Sequence, residues 1–128
     1  MQTLQLPDGY QYVMPYLIIP NAAGFLQFVE KVFDGREKMK AINDDQTIMH
    51  GEVQIGDSTI MFADSNPQWG ANTAGLYVHV TNVDETYRKA LAEGAQSIIP
   101  PEDKHYGRTA GFKDPFGNTW WPTEVKAK

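Results

Sequence analysis

The stretch Asp114-Pro115-Phe116-Gly117-Asn118-Thr119-Trp120-Trp121 decides how this chain is read. Four of its first five residues, Asp114, Pro115, Gly117 and Asn118, are turn formers. Asp and Asn side chains bond the local backbone, Pro fixes φ, and Gly supplies a positive φ without steric penalty. The residues on either side, over 109–113 and 119–125, read as strands, so the stretch joins two strands of a hairpin. An earlier part of the chain carries the same device: runs over 48–55 and 59–63 are joined through Gly56-Asp57-Ser58.

Working outward from these two turns exposes a repeat. The first half begins with a polar arm closed by Pro7-Asp8-Gly9 and a strand-like run over 12–19, ended by Pro20-Asn21. Asn21 can cap a helix whose apolar stripe is Phe25, Phe28, Val29 and Val32, stopped at Asp34-Gly35. The charged residues Arg36-Glu37-Lys38 read as the exposed helix end and loop. After a polar connector over 64–73 the order starts again: a strand over 76–80, then Asn82 with Glu85 three positions on as a capping-box-like start. Val83, Tyr87, Ala90 and Leu91 form the second stripe, with Gly94 as C-cap. Ser97-Ile98-Ile99 follows, broken by Pro100-Pro101, then the two strands around the opening stretch. Asn21 and Asn82 are 61 residues apart, as are Gly56 and Gly117. Each unit alone would leave one sheet face uncovered, so two halves together imply a cleft.

Composition narrows the function classes. The chain has 128 residues, of which 41% are hydrophobic and 21% charged, a globular rather than disordered balance. A net charge of −5 argues against a nucleic-acid partner bound through its phosphates. The absence of cysteine excludes disulfides, thiolate nucleophiles and Cys-containing zinc sites. No apolar run is long enough to span a bilayer, so no membrane partner is expected. The segment Met1-Gln2-Thr3-Leu4-Gln5-Leu6-Pro7 lacks the basic and apolar regions of a signal peptide, so a cytoplasmic location is expected. No phosphate-cradling glycine loop or nucleophile elbow is present.

The stretch at 114–121 resembles the closing signature of the glyoxalase/bleomycin-resistance/dioxygenase (vicinal oxygen chelate) superfamily. Pro15-Tyr16-Leu17-Ile18, Gly56-Asp57-Ser58 and Pro100-Pro101-Glu102-Asp103 are most similar to its PhnB-like branch. The resemblance covers positions 13–125. It implies an α+β fold of two tandem βαβββ units forming a curved mixed sheet around a cleft, with helices on the outer face. One domain is expected over 1–128, with halves at 12–64 and 75–125, and a homodimer. Metal-dependent members hold a divalent ion with His or Glu from four strands. Carried over strand by strand, those positions fall at Met14, Met61 (or its neighbour Ile60), Gly75 and Trp121. None suits such a metal, so no cofactor is expected and glyoxalase-type isomerase chemistry is in doubt.

Strand alternation assigns faces without the resemblance. Leu76, Val78 and Val80 suit the helix side, leaving Tyr77 and His79 in the cleft. Val53 and Ile55 leave His50, Glu52 and Gln54 facing inward. Met14, Tyr16 and Ile18 share the cleft face of the first strand, Trp121 and Thr123 that of the last. Tyr16, Tyr77 and Trp121 can stack on a planar or cationic ligand, or simply fill an interior. His50, Glu52 and His79 offer hydrogen bonds, proton transfer or a displaced three-ligand metal set. A polar pair within the sheet is the simpler account of the first two. Arg108 either reaches the cleft mouth to meet an anion or makes a surface ion pair. Trp69, in the connector, suits a lid, a dimer contact or a loop anchor, and His105 is read as solvated.

Two functions follow. The first is a metal-free protein that sequesters a small aromatic or cationic molecule, with ligand contacts from Tyr16, His50, Glu52, Tyr77, His79, Arg108 and Trp121. The second is a metal-dependent or acid–base lyase, isomerase or dioxygenase, with His79 and Glu52 as proton-transfer groups. A module acting through protein contacts is a third, plainer possibility.

Overall fold

The computed structural model describes residues 3–125; Met1, Gln2 and residues 126–128 lie outside it, with the part of the N-terminal reading that falls on them. The first unit runs β1 (Tyr16–Ile19), α1 (Ala22–Phe33), β2 (Arg36–Ile42), β3 (Ile48–Ile55) and β4 (Ser58–Asp64). The second runs β5 (Gly75–His79), α2 (Val83–Ala92), β6 (Gln96–Lys104), β7 (Gly107–Lys113) and β8 (Thr119–Val125). The strands form two four-stranded mixed sheets, ordered β1-β4-β3-β2 and β5-β8-β7-β6. In each, the first strand lies parallel to the last, and the other pairings are antiparallel. This is the expected α+β fold of two tandem βαβββ units, with the helices packed against one face.

The repeat extends to the helix caps. Asn21 Oδ1 accepts the Gly24 N–H at 3.1 Å and Asn82 Oδ1 accepts the Glu85 N–H at 3.0 Å. The first helical N–H of each unit goes to a carboxylate: Ala22 to Asp64 at 2.8 Å, Val83 to Glu124 at 2.8 Å. An anion at that end also opposes the helix dipole favourably. Asp34 ends α1 with φ 55, and the next N–H, of Gly35, returns to the Val29 carbonyl.

Phe25, Phe28, Val29, Val32 and Phe33 of α1 pack on Leu17, Ile19, Val53, Ile60 and Phe62 of the first sheet. The same core continues into the second unit. The Phe33 ring lies 4.5 Å from the Trp120 ring, and Phe28 lies 6.3 Å from Phe112 edge-on. The helix-facing sides of both sheets therefore share one core. The other face of each sheet lies on the far side of its strands from that core.

The 114–121 stretch owes its composition to this packing. Asp114, nearly fully buried, accepts four hydrogen bonds: the N–H groups of Phe116 and Asn118 on Oδ1, and Asn118 Nδ2 and Trp120 Nε1 on Oδ2. Asn118 Oδ1 then accepts the Ala74 N–H just before β5. Gly117 sits at φ 103. One carboxylate thus holds a tight turn, a buried indole and, through Asn118, the start of the neighbouring strand.

Four local readings are corrected. Residues 36–38, read as an exposed helix end and loop, instead open strand β2 over 36–42, a sheet edge exposed at nearly every position that carries no alternation to read. The pair Pro100-Pro101 does not break the chain but lies inside β6, also an edge, where a missing N–H costs no ladder bond. The first strand starts at Tyr16 rather than Tyr12. Below it the Gln11 side chain stands in for a strand, donating to the Thr59 carbonyl and accepting the Thr59 N–H. In α2 the buried residue between Val83 and Ala90 is Thr86, while Leu91 is exposed.

Candidate functional site

The first sheet's open face carries a continuous hydrogen-bonded chain. His50 and Glu52, two apart on β3, point the same way, and His50 Nε2 lies 2.8 Å from Glu52 Oε2. The same carboxylate oxygen accepts the Tyr10 hydroxyl at 2.7 Å, and Tyr16 Oη lies 3.0 Å from His50 Nδ1. An ionised carboxylate only accepts, so His50 Nε2 carries the proton. In the neutral imidazole Nδ1 is then bare and accepts from Tyr16. The order is Tyr16, His50, Glu52, Tyr10.

Glu52 is only 2% exposed because the N-terminal arm lies over it. The arm is pinned at several points. Lys38 Nζ donates to the Asp8 carbonyl and lies 4.4 Å above the Tyr10 ring, while Thr59 Oγ1 donates to the Gly9 carbonyl. Gly9 has φ 81, and a Cβ there would collide with the Gln54 amide. Burial pushes the Glu52 carboxyl up, but the Tyr10 and His50 hydrogen bonds and the nearby Lys38 charge outweigh it and hold the group below its ordinary value. The Tyr10 hydroxyl is raised, chiefly by the hydrogen bond to Glu52.

The second sheet's open face holds Tyr77, 55% exposed, and Trp121, 36% exposed. They face each other in register on β5 and β8. Trp121 lies across two glycines: a Cβ at Gly75 would stand 3.0 Å from its Cζ3, and one at Gly111 would stand 3.3 Å from its Cδ1. His79 meets Tyr77 edge-on at 5.5 Å. On the same face, further along β8, Thr123 shares a hydroxyl hydrogen bond of 2.9 Å with Thr109.

One chain does not bring all the expected ligand residues together. Tyr16, His50 and Glu52 form one group, and Tyr77, His79 and Trp121 another. Tyr77 and His79 line a cavity of about 610 Å³ against Gln11, Val13 and Pro15, whereas Tyr16 lines a separate cavity of about 720 Å³ beside Trp69. Arg108 joins neither: its guanidinium grips Asp84 on α2 through two hydrogen bonds, 2.8 and 3.0 Å, and Asp103 at 3.0 Å. Both carboxylates raise its pKa further above its ordinary value. Tyr10 and Lys38 escaped the sequence reading because their partners lie far along the chain. The turn Pro7-Asp8-Gly9 signalled only that the arm bends.

Residues 9–121 match the Glyoxalase/Bleomycin resistance protein/Dioxygenase superfamily. The chain belongs to this superfamily. An uncharacterized protein of Mycobacterium bovis is 30% identical over 118 residues, covering 83% of this chain and 78% of its own length. Two solved structures share the fold: the PhnB protein of Bacillus cereus (TM-score 0.70, 17% identity, 90% of this chain and 100% of that one) and TnmS3, an antibiotic binding protein from Streptomyces sp. CB03234 (TM-score 0.70, 15% identity, 98% and 100%).

The superfamily's metal chemistry can be tested against the residues present. Met61 sits in register with Tyr16 on one side and Glu52 on the other, and Gly75 lies under the Trp121 ring. A thioether, a bare Cα and an indole donate poorly to a hard or borderline divalent ion, so these superfamily positions do not fit one. His79 does not join His50 and Glu52, and among the described residues no three His, Asp or Glu side chains converge to hold a metal.

Proposed function

We propose that this chain is a metal-free small-molecule-binding protein that sequesters an aromatic or cationic ligand on its open, aromatic sheet faces, acting as a homodimer in the cytoplasm. One observation carries the reading. Large aromatic side chains (Tyr16, Tyr77 and Trp121) stand exposed on sheet faces that belong to no core, beside a buried carboxylate and two imidazoles. Exposed apolar surface rimmed by polar groups is the usual composition of a ligand or partner surface. In such a homodimer the first face of one protomer would meet the second face of the other, bringing the two groups of ligand residues together. TnmS3, with the same fold, is an antibiotic binding protein.

The test combines elemental analysis of the purified protein with a thermal-shift screen of aromatic and cationic compounds. The expected result is no stoichiometric metal and a rise in Tm that grows with the concentration of a binding compound. Tightly held metal, or a flat screen, counts against the reading.

A second reading rests on the Tyr16–His50–Glu52 chain, which has the parts of an acid–base device: an imidazole oriented by a buried carboxylate and bonded to an exposed phenol. The superfamily includes dioxygenases and glyoxalases. In this reading His50, rather than His79, pairs with Glu52. Turnover of a carbonyl-containing substrate that vanishes in a folded His50→Ala variant would favour it over sequestration.

A further inference from the structure

The connector between the two units is built to present a tryptophan. Asn66 Oδ1 accepts the N–H groups of Gln68 at 2.9 Å and Trp69 at 2.7 Å, and the Asn66 N–H returns to the Trp69 carbonyl at 2.9 Å. Beyond it, Ile18 and Asn72 exchange two backbone hydrogen bonds of 3.1 and 2.8 Å, which fastens the loop to the free edge of β1. So held, Trp69 stays 62% exposed. An indole left this open in a loop fixed at both ends is not a packing anchor. It forms a wall of the 720 Å³ cavity, whose other walls include Tyr16, Ile18, Met49 and Asn43.

The formal charge on the walls of this cavity has one sign. Among the described residues no Lys, Arg or His lines it, and the one charged residue on its walls is Asp64. Tyr16 has committed its proton to His50 in the neutral imidazole, so its oxygen offers lone pairs. Asn43 directs one amide N–H to Thr47 Oγ1 at 3.0 Å, and its carbonyl oxygen is an acceptor at the cavity wall. An indole face attracts cations more strongly than a phenyl or phenol face does. The volume suits a drug-sized molecule.

We infer that the Trp69 cavity is a subsite for a planar aromatic cation, stacked on Trp69 and directing an N–H donor at the Tyr16 oxygen. This rests on the small-molecule-binding reading and names the ligand class and the place.

Proflavine, a flat tricyclic cation bearing amino groups, is the probe, and anthracene-2-carboxylate, flat and anionic, is its control. Binding to the full chain is followed by dye fluorescence at a fixed, slightly alkaline pH. The expected result is saturable proflavine binding, at least about tenfold weaker in Trp69→Ala, and about threefold or more weaker in Tyr16→Phe. The anion should bind at least about tenfold more weakly than the cation. Both substituted side chains are exposed, so Tm should hold, and circular dichroism checks the fold. Proflavine binding undiminished in Trp69→Ala, or a preference for the anion, overturns the inference. If proflavine binding instead falls in Trp121→Ala, the subsite is wrong while small-molecule binding stands. If no dye binds, the subsite fails, and the compound screen above decides the broader reading separately.

Discussion

His50 Nε2 and Glu52 Oε2 meet at 2.8 Å on one face of β3, with the carboxylate sealed under the arm by Tyr10. This pairing converts two polar residues that a half-buried strand would ordinarily expose into an internal, oriented dyad. It fixes the imidazole tautomer and, through it, the direction of the Tyr16 hydroxyl.

The Glu52 carboxyl has a pKa below its ordinary value, so the folded state binds its proton less readily than the unfolded chain. A depressed carboxylate stabilises the fold above the unfolded pKa, and that share is lost as pH falls through the folded pKa. Resistance of the native protein to urea should therefore fall as pH drops through and below the ordinary carboxylate range. Glu52→Gln should flatten that acid limb and lower stability near neutral pH by about 1–2 kcal/mol, because Tyr10 and His50 lose a charged acceptor.

Asp114→Ala removes the acceptor of four hydrogen bonds and leaves the Trp120 N–H buried without a partner. A loss of about 3–5 kcal/mol is expected, read by denaturant titration, with a change in the near-UV dichroism of the indole. Asp114→Asn keeps one acceptor oxygen but turns the other site into a donor facing donors. It should recover only part of the loss.

Phe33 and Trp120 join the two units at a ring distance of 4.5 Å. Phe33→Ala should cost about 3–4 kcal/mol. Because the contact bridges the halves, the variant should also unfold over a broader range, with fluorescence and circular dichroism no longer coincident. Coincident, equally sharp transitions would show that the units stay coupled without it.

Arg108 spends its guanidinium on Asp84 and Asp103 at the surface. Arg108→Ala should lower Tm slightly at low salt, and the difference should shrink in concentrated NaCl. Its affinity for any compound found by the thermal-shift screen should match that of the native protein. A large loss of affinity would put Arg108 back in the ligand site.

Trp121 lies over Gly75 and Gly111 on an open face, outside the core. Trp121→Ala should cost about 2–3 kcal/mol in urea unfolding, since about two thirds of the indole is covered, and the variant should still fold. A screened ligand that uses the second sheet should bind at least about tenfold more weakly, measured by calorimetry.

The sequence by itself determined the repeat, the caps and the sheet faces. These are local properties: Asn21 and Asn82 cap the helices that follow them, and alternation along β3 and β5 fixes which side chains share a face whatever the partner strands do. It also determined that Met61, Gly75 and Trp121 offer no metal donors, because donor chemistry belongs to the residue. The tertiary structure decided what those faces meet. Edge strands β2 and β6 bury almost no side chain, so they carry no clear hydrophobic period and their pairing reveals them. Tyr10 reaches Glu52 across 42 residues, and Arg108 reaches Asp84 across 24, contacts that no local pattern encodes. The separation of His79 from His50 has the same origin. Both lie on open faces, as alternation requires, but the shared core under α1 and α2 places those faces on two different sheets.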